Sequence, residues 1–396
     1  MFENVKSAPP DPVFGIMEAF RNDPKPQKIN LTVGAYQDES GTTPIMQCVK
    51  QAEQQILRLE NTKNYLPIDG SQELAPKIAK LILGNEHPVI LEGRFATAHT
   101  PGGTGALRIA GDLAKNNCGA QTIWAGTPTW ANHPQIYTAA GLKFATYDYL
   151  NAERTDLNFG AMKTALANAQ SGDAVLLHTV CHNPTGFDLQ RDHWGEVFQI
   201  MESQGLLPVF DFAYQGFGED TEIDAWPIRE WFQRGHEGLI CSSFSKNMGL
   251  YGERVGSVTA VVAKTTERAP VLSQIKSIIR TFYSTPPMHG GAIVDVILSD
   301  NSLREEWLKE LAEVRARIIQ IRELFVERLT ELAPSADFSH IRRQRGMFSF
   351  SGLSREQIIR LRDEYSIYAV ENGRINIAGV NRSNLDTICQ AIASVI

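Results

Sequence analysis

Between Thr122 and Ala263, short apolar runs recur at intervals, separated by stretches of helical period: TIWAG, KFATYDYL, AVLLHTV, LLPVFDFAY, GLICSSFS and SVTAVVA. Runs such as VLLH and PVFDFAY show no clean alternation of apolar and polar positions, as strands buried on both faces do not. The pattern predicts an α/β fold, a parallel sheet covered by helices on both sides. In such sheets ligands bind beyond the carboxyl ends of the strands.

After Leu303 the period changes. In LREEWLKELAEVRARIIQIRELFVERLTEL the positions Trp307, Leu311, Val314, Ile318, Ile321, Phe325 and Leu329 fall at helical spacing, which predicts one long helix with its stripe in a core. A smaller α/β unit follows: GMFSFSG as a strand, SREQIIRLRDEY as a helix opened by a Ser354/Gln357 capping box, IYAVENGRINIAG as a hairpin turning at Gly373, and a closing helix. The proline-rich N-terminal segment is too short to fold alone and is expected to pack on this unit. The expected division is a large domain over 48–312 and a small one from 1–47 and 313–396.

The chain has 396 residues, 43% apolar and 21% charged, an ordinary globular composition without repeats or low-complexity tracts. A net charge of −7, spread without long single-sign blocks, argues against a nucleic-acid partner. Prolines at 9, 10 and 12 interrupt the start, which therefore does not read as a secretory signal, and no apolar run reaches about 18 residues. A cytoplasmic protein without a membrane span is expected. The cysteines at 48, 118, 181, 241 and 389 are odd in number, dispersed and without a CxxC pair, so free thiols are expected, with no disulfide framework and no metal site.

Candidate chemistry gathers at the ends of the apolar runs. In SSFSKNMGLYGERVG, Lys246 follows a buried strand with no acid within six residues, so something must match or remove its charge. Asp211, inside LLPVFDFAY, has the converse problem. An acid capping a helix, or a direct Asp211–Lys246 salt bridge, would be structural readings. The other reading is a cofactor bridging the two, with a pyridine nitrogen at one end and an aldehyde at the other, as in pyridoxal phosphate. TPGGTGALR offers a phosphate cradle in which Gly102 and Gly103 admit close backbone approach, Thr104 adds a hydroxyl and a helix starts. Ser243, Ser245 and Arg254 would add two hydroxyls and a guanidinium fork. HNPTG places Asn183 at a turn on the same sheet edge.

With SSFSKNMGLYGERVG, HNPTG, DFAYQGF and PGGTGALR in place, the sequence closely resembles the class I pyridoxal-phosphate aminotransferases, in their bacterial aspartate and aromatic amino acid subgroup, from MFENV to the last helix. The resemblance implies fold type I, a large domain with a mostly parallel seven-stranded sheet between helices plus a smaller α/β domain, and pyridoxal 5'-phosphate as cofactor. It implies that Lys246 bonds to the cofactor and then serves as acid and base, that Asp211 partners the ring nitrogen, and that Tyr214 and Asn183 donate to the phenolic oxygen. Gly103, Thr104, Ser243, Ser245 and Arg254 resemble the phosphate site. Trp130 stacks over the ring, and His133 and His178 support Asp211. For substrates it implies Arg374 on the α-carboxylate, with the Gly34 backbone, Trp130 and Asn183 nearby. Tyr65 and Arg280 match residues contributed across a homodimer interface, to the phosphate and to the distal carboxylate of the substrate. Two cis bonds are implied, Thr127–Pro128 and Asn183–Pro184.

The implied activity is transfer of an amino group from an amino acid to 2-oxoglutarate in two half-reactions. Asn64, Thr43 and Thr104 resemble the aspartate type, whereas Ala35, Gln37 and Thr285 match neither subgroup. Gln37 stands where aspartate enzymes usually carry lysine, and the small Ala35 would leave space at the mouth of the pocket. Dual acidic and aromatic specificity is therefore expected, with a narrow aspartate aminotransferase as the alternative. More remote are a pyridoxal-phosphate lyase or decarboxylase, and a non-catalytic regulator, which would carry a basic DNA-binding extension absent before Pro9.

Overall fold

The computed structural model of the protein describes residues 1–6 and 14–396; the prolines at 9, 10 and 12 lie outside the described residues. A seven-stranded sheet forms the centre. Its strand order is Phe95–Pro101, Val255–Val261, Gly238–Ser243, Leu207–Phe212, Ala174–His178, Thr122–Thr127 and Lys143–Asp148. All neighbours are parallel except Val255–Val261, which runs against both of its partners. The connection from Ser243 to Val255 holds no helix and is too short for a parallel crossover, so the chain turns back beside the strand it has just left.

Burial follows the apolar runs. Ala174–Leu177 and Pro208–Phe212 are buried throughout, while the edge strand Lys143–Asp148 is exposed or half-exposed except at Tyr147. The strand Phe95–Pro101 has no counterpart among the expected elements. Its sequence FATAHTP is mostly Ala and Thr, which carry little apolar signal, yet six of its residues are buried between a neighbouring strand and the helix Gly102–Asn116.

The long helix spans Asn301–Leu332, opened by Asp300, whose Oδ1 accepts from the amides of Ser302 and Leu303. Its apolar stripe is buried except for the half-buried Val314. The expected capping box opens the helix Arg355–Tyr365: Ser354 Oγ accepts from the Gln357 amide at 3.2 Å, and Gln357 Oε1 from the Ser354 amide at 2.8 Å.

The expected hairpin is corrected. Gly373, at φ +91°, does make a turn, but the flanking strands join different sheets. Ile367–Tyr368 pairs in parallel with Ile29–Asn30, and Arg374–Asn376 pairs antiparallel with Phe348–Phe350. The N-terminal segment supplies the missing partner: besides that pairing, the Tyr368 hydroxyl donates to Asp23 at 2.9 Å and the ring meets Phe20 edge-on. Both expected X-Pro bonds are cis. The five cysteines are free thiols, and no helix among the described residues is long and apolar enough to cross a membrane.

Candidate active site

Parallel register brings the chemistry to one edge of the sheet. His178 stands opposite Asp211, and one residue further Phe212 stands opposite Ser242. The ends of the adjacent strands therefore deliver His178, Asp211 and Ser243 side by side, and the antiparallel strand returns Arg254 to the same place. These residues line a cavity of about 470 Å³ together with Gly34, Gly103, Thr104, Trp130, Asn183, Tyr214, Ser245, Lys246 and Arg374.

At its floor Asp211 is buried. His133 Nε2 donates to the Asp211 carboxylate, 3.1 Å from Oδ2, and His133 Nδ1 hydrogen-bonds the Thr129 hydroxyl at 2.8 Å, which fixes the ring's orientation. His178 Nε2 lies 3.7 Å from the same oxygen, too far to hydrogen-bond, and has no other partner. Burial by itself would raise the Asp211 carboxyl. The His133 hydrogen bond and the fields of both histidines and Lys246 hold it below its ordinary value, as a carboxylate.

Lys246 is half-buried, and the salt-bridge reading does not hold. The ion-pair partners of Asp211 within 4.0 Å are the two histidines, and Lys246 makes no ion pair or hydrogen bond among the described residues. Its Nζ lies 5.1 Å from the centre of the Tyr214 ring. Desolvation pushes its pKa down from 10.5 to about 8, with Asp211 opposing and Arg254 adding to the shift. Burial pushes the Tyr214 phenol up, so it stays protonated.

At one end of the cavity the helix Gly102–Asn116 starts immediately after its strand, presenting Gly103 and Thr104. Gly102 has φ +72°, and a Cβ there would lie 2.4 Å from Arg254 Nη2, so glycine is what allows the guanidinium to lie against this turn. Arg254 Nη1 donates to Ser245 Oγ at 3.3 Å and to the Tyr251 carbonyl at 3.1 Å, and it has no carboxylate partner among the described residues.

At the other end Arg374 is buried with its pKa lowered to about 10, by desolvation against the opposing field of Tyr214. Its Nη2 donates to the Thr32 carbonyl at 2.6 Å and its Nη1 to Asn183 Oδ1 at 3.4 Å, while Nε is buried without a partner. The guanidinium lies 4.3 Å from the centre of the Phe348 ring. A second cavity of about 700 Å³ adjoins here, sharing Trp130, Asn183 and Arg374 and roofed by Gly15, Ile16 and Ala19 of the helix Phe14–Asn22.

Two expected residues are elsewhere. Tyr65 is 93% exposed, and Arg280 is exposed with its Nη1 on Ser284 Oγ at 2.7 Å; neither lines the cavity. Ala35, Gln37 and Thr285 do not line it either: the Ala35 carbonyl accepts from Asn376 Nδ2 at 2.8 Å, and the Gln37 side chain turns towards Gly379. Residues not anticipated from sequence are Thr129, Phe348 and Tyr251. Thr129 sits one helical turn before His133, a spacing that could have been read; Tyr251 lies inside the opening lysine motif.

The family model for aminotransferase class I and II matches residues 26–392. The chain is 47% identical over 398 residues to an aspartate aminotransferase of Salmonella typhi, with 100% of both chains covered. It is 43% identical over 394 residues to an aromatic-amino-acid aminotransferase of Pseudomonas aeruginosa, covering 100% of this chain and 98% of that one. The crystal structure of an aromatic-amino-acid aminotransferase from Burkholderia pseudomallei covalently bound to pyridoxal phosphate matches with a TM-score of 0.97 at 43% identity, over 100% of this chain and 99% of that one. With the match running through nearly the whole sequence, the chain belongs to the family of class I and II aminotransferases.

Proposed function

We propose that the protein is a pyridoxal 5'-phosphate-dependent aminotransferase that passes the amino group of aspartate and of aromatic amino acids to 2-oxoglutarate. The observation that carries this reading is the half-buried Lys246, its amine without an ion-pair or hydrogen-bond partner among the described residues and lowered to about 8, on the same sheet edge as the carboxylate of Asp211. A cationic Arg254 without a carboxylate, hydroxyls at Thr104, Ser243 and Ser245, and the Gly103 backbone at a helix start suit the cofactor's phosphate. The cavity of about 470 Å³ is of ligand size.

When bound, the cofactor supplies an aldehyde that joins an amine and a ring that draws electrons from the substrate's Cα. Asp211, kept ionised by His133 and His178, would hold a proton on the ring nitrogen. Tyr214 and Asn183 would donate to the phenolic oxygen, and Trp130 would cover the ring. Arg374 binds the α-carboxylate, its unpartnered Nε completing a fork, with Asn183 and the Gly34 backbone beside it. Lys246 would be the residue that bonds to the cofactor's aldehyde, and its freed amine would take the substrate's Cα proton as a base and return a proton as an acid. A lowered pKa keeps an appreciable fraction of its amine neutral for that work.

Dual specificity is supported by relatives bearing both names and by the second cavity of about 700 Å³ beside Arg374. A homodimer is part of the proposal: Tyr65 and Arg280 are outward-facing here and would enter the partner's site, where Arg280 would meet a distal carboxylate. So are the cytoplasmic location and the domain division at 47/48 and 312/313, the second of which falls within the helix Asn301–Leu332.

The test is the visible absorption of the holoenzyme and its turnover. A donor amino acid should shift the spectrum and 2-oxoglutarate should restore it, and a Lys246→Ala protein that cycles equally would refute the site. Comparing kcat/KM for aspartate, phenylalanine and tyrosine decides specificity, since negligible turnover of the aromatics leaves a narrow aspartate enzyme.

A further inference from the structure

Tyr251 faces two ways. Its hydroxyl accepts the backbone N–H of Tyr36 at 3.0 Å, across 215 residues of sequence, while its own carbonyl accepts Arg254 Nη1 at 3.1 Å. It also lines the cavity that holds Lys246. The segment it reaches is held on its other side by Asn376 Nδ2, which donates to the Val33 and Ala35 carbonyls at 2.6 and 2.8 Å. Gly34 is packed against Phe348, whose ring carries the Arg374 guanidinium: a Cβ on Gly34 would lie 3.0 Å from Phe348 Cζ. Arg317 approaches the Tyr36 ring at 5.4 Å while pairing with Glu39 at 3.0 Å.

The Gly34–Tyr36 strip therefore has two supports. Asn376 and Phe348 come from the strands around Arg374, whereas the Tyr251 hydroxyl comes from the turn that carries Arg254 and Lys246. We propose that Tyr251 is a positioning residue that ties the substrate-carboxylate edge of the pocket, through the Tyr36 amide, to the arginine seat of the cofactor's phosphate. With the hydroxyl bond made, Gly34 and Arg374 are held in register with Lys246; without it the strip follows only the Arg374 side. The proposal rests on the aminotransferase reading above. Burial raises the phenol to about 12, so the hydroxyl keeps its proton through the assay range.

The test is the Tyr251→Phe holoenzyme, which loses one oxygen and keeps the carbonyl that holds Arg254. A single hydrogen bond of about 0.5–1.5 kcal/mol corresponds to a two- to tenfold change. The KM for aspartate and for phenylalanine should each rise by about that factor, with kcat within about twofold, cofactor affinity unchanged and faster exchange of the Tyr36 amide. An unchanged KM overturns the proposal, even if melting temperature falls or the amide exchanges faster, because a purely structural bond would do that. A loss confined to kcat, or a loss of cofactor affinity, overturns it as well. Absence of transamination in the unsubstituted enzyme would instead overturn the functional reading; the hydroxyl–amide tie is then refuted if Tyr36 exchange is the same in both proteins.

Discussion

Gly102→Ala should separate the phosphate seat from the stability of the fold. The residue sits at φ +72°, so alanine pays a backbone penalty of about 1–2 kcal/mol. A second effect is local. The new Cβ would lie 2.4 Å from Arg254 Nη2, 2.9 Å from Cζ and 3.2 Å from Nη1, so the guanidinium must withdraw by about 1 Å to reach ordinary contact. That withdrawal breaks the bonds to Ser245 Oγ and the Tyr251 carbonyl, at 3.3 and 3.1 Å, and carries the charge away from the helix start. Losing one charge-assisted hydrogen bond to the phosphate is worth about 1.5–3 kcal/mol, roughly a 10- to 150-fold weaker cofactor affinity. Gly119→Ala is the control, with φ +80° and nothing within 4 Å of its Cβ. It should lose similar backbone stability and leave cofactor affinity within about twofold. Urea denaturation and cofactor titration of the cofactor-free proteins read both quantities. If Gly102→Ala binds the cofactor as tightly as the parent, or Gly119→Ala weakens it equally, Arg254 is not the seat inferred here.

Asp211→Asn should keep the fold and cut kcat by about 10²- to 10³-fold, the effect of about 3–4 kcal/mol of buried charge stabilisation; a change below tenfold in single-turnover rate would remove the carboxylate from the mechanism. Arg374→Ala should lower kcat/KM for every donor by about 10²- to 10³-fold, whereas Arg280→Ala should lower it at least about tenfold for aspartate and leave phenylalanine within about threefold; equal losses for both donors would contradict the assignment of Arg280. Coupling of the cofactor to the cofactor-free enzyme should accelerate about tenfold per pH unit below 8 and level off above it, because burial moves the Lys246 titration down to about 8; a profile that levels near 10.5 would contradict that. The same sign governs stability. The folded value lies below the unfolded one, so the penalty of burying the ammonium is full below pH 8 and is relieved as pH rises towards 10.5.

The parts legible in the sequence are those whose signal is local. Strands buried on both faces announce themselves as apolar runs, and Lys246 and Asn183 follow such runs while Asp211 lies inside one, so the shared sheet edge follows from topology. Two features lacked such a signal. Phe95–Pro101 is built from Ala and Thr and is recognisable only by what packs on it, and the segment around Gly373 reads as a hairpin until the N-terminal strand Ile29–Asn30 claims one half. Tyr251 shows the same limit inside the site, because its partner amide lies 215 residues away and a tyrosine in a polar loop carries no mark of what it holds.

Of the two residues that a single chain leaves outside its own pocket, Arg280 is the one that would bear on specificity. Arg374 provides a fork for one carboxylate, and its environment is complete within the protomer: two hydrogen bonds, an aromatic floor and one spare N–H. Among the described residues that line the cavity with Lys246, the other guanidinium is that of Arg254 at the phosphate end; Arg362 lines the adjoining cavity, and Arg280 faces outward. On the proposed homodimer, an amino acid's α-carboxylate would be served by one chain, and a dicarboxylate's second charge by Arg280 of the other. That contact would then be the term that discriminates aspartate from phenylalanine. A charge that must reach across an interface on a long, mobile side chain can also swing away from an aromatic ring, while one buried inside the pocket would have to be desolvated unpaired. On the proposed reading, placing the specificity cation on the neighbouring subunit would make acceptance of both donor classes physically compatible in one site.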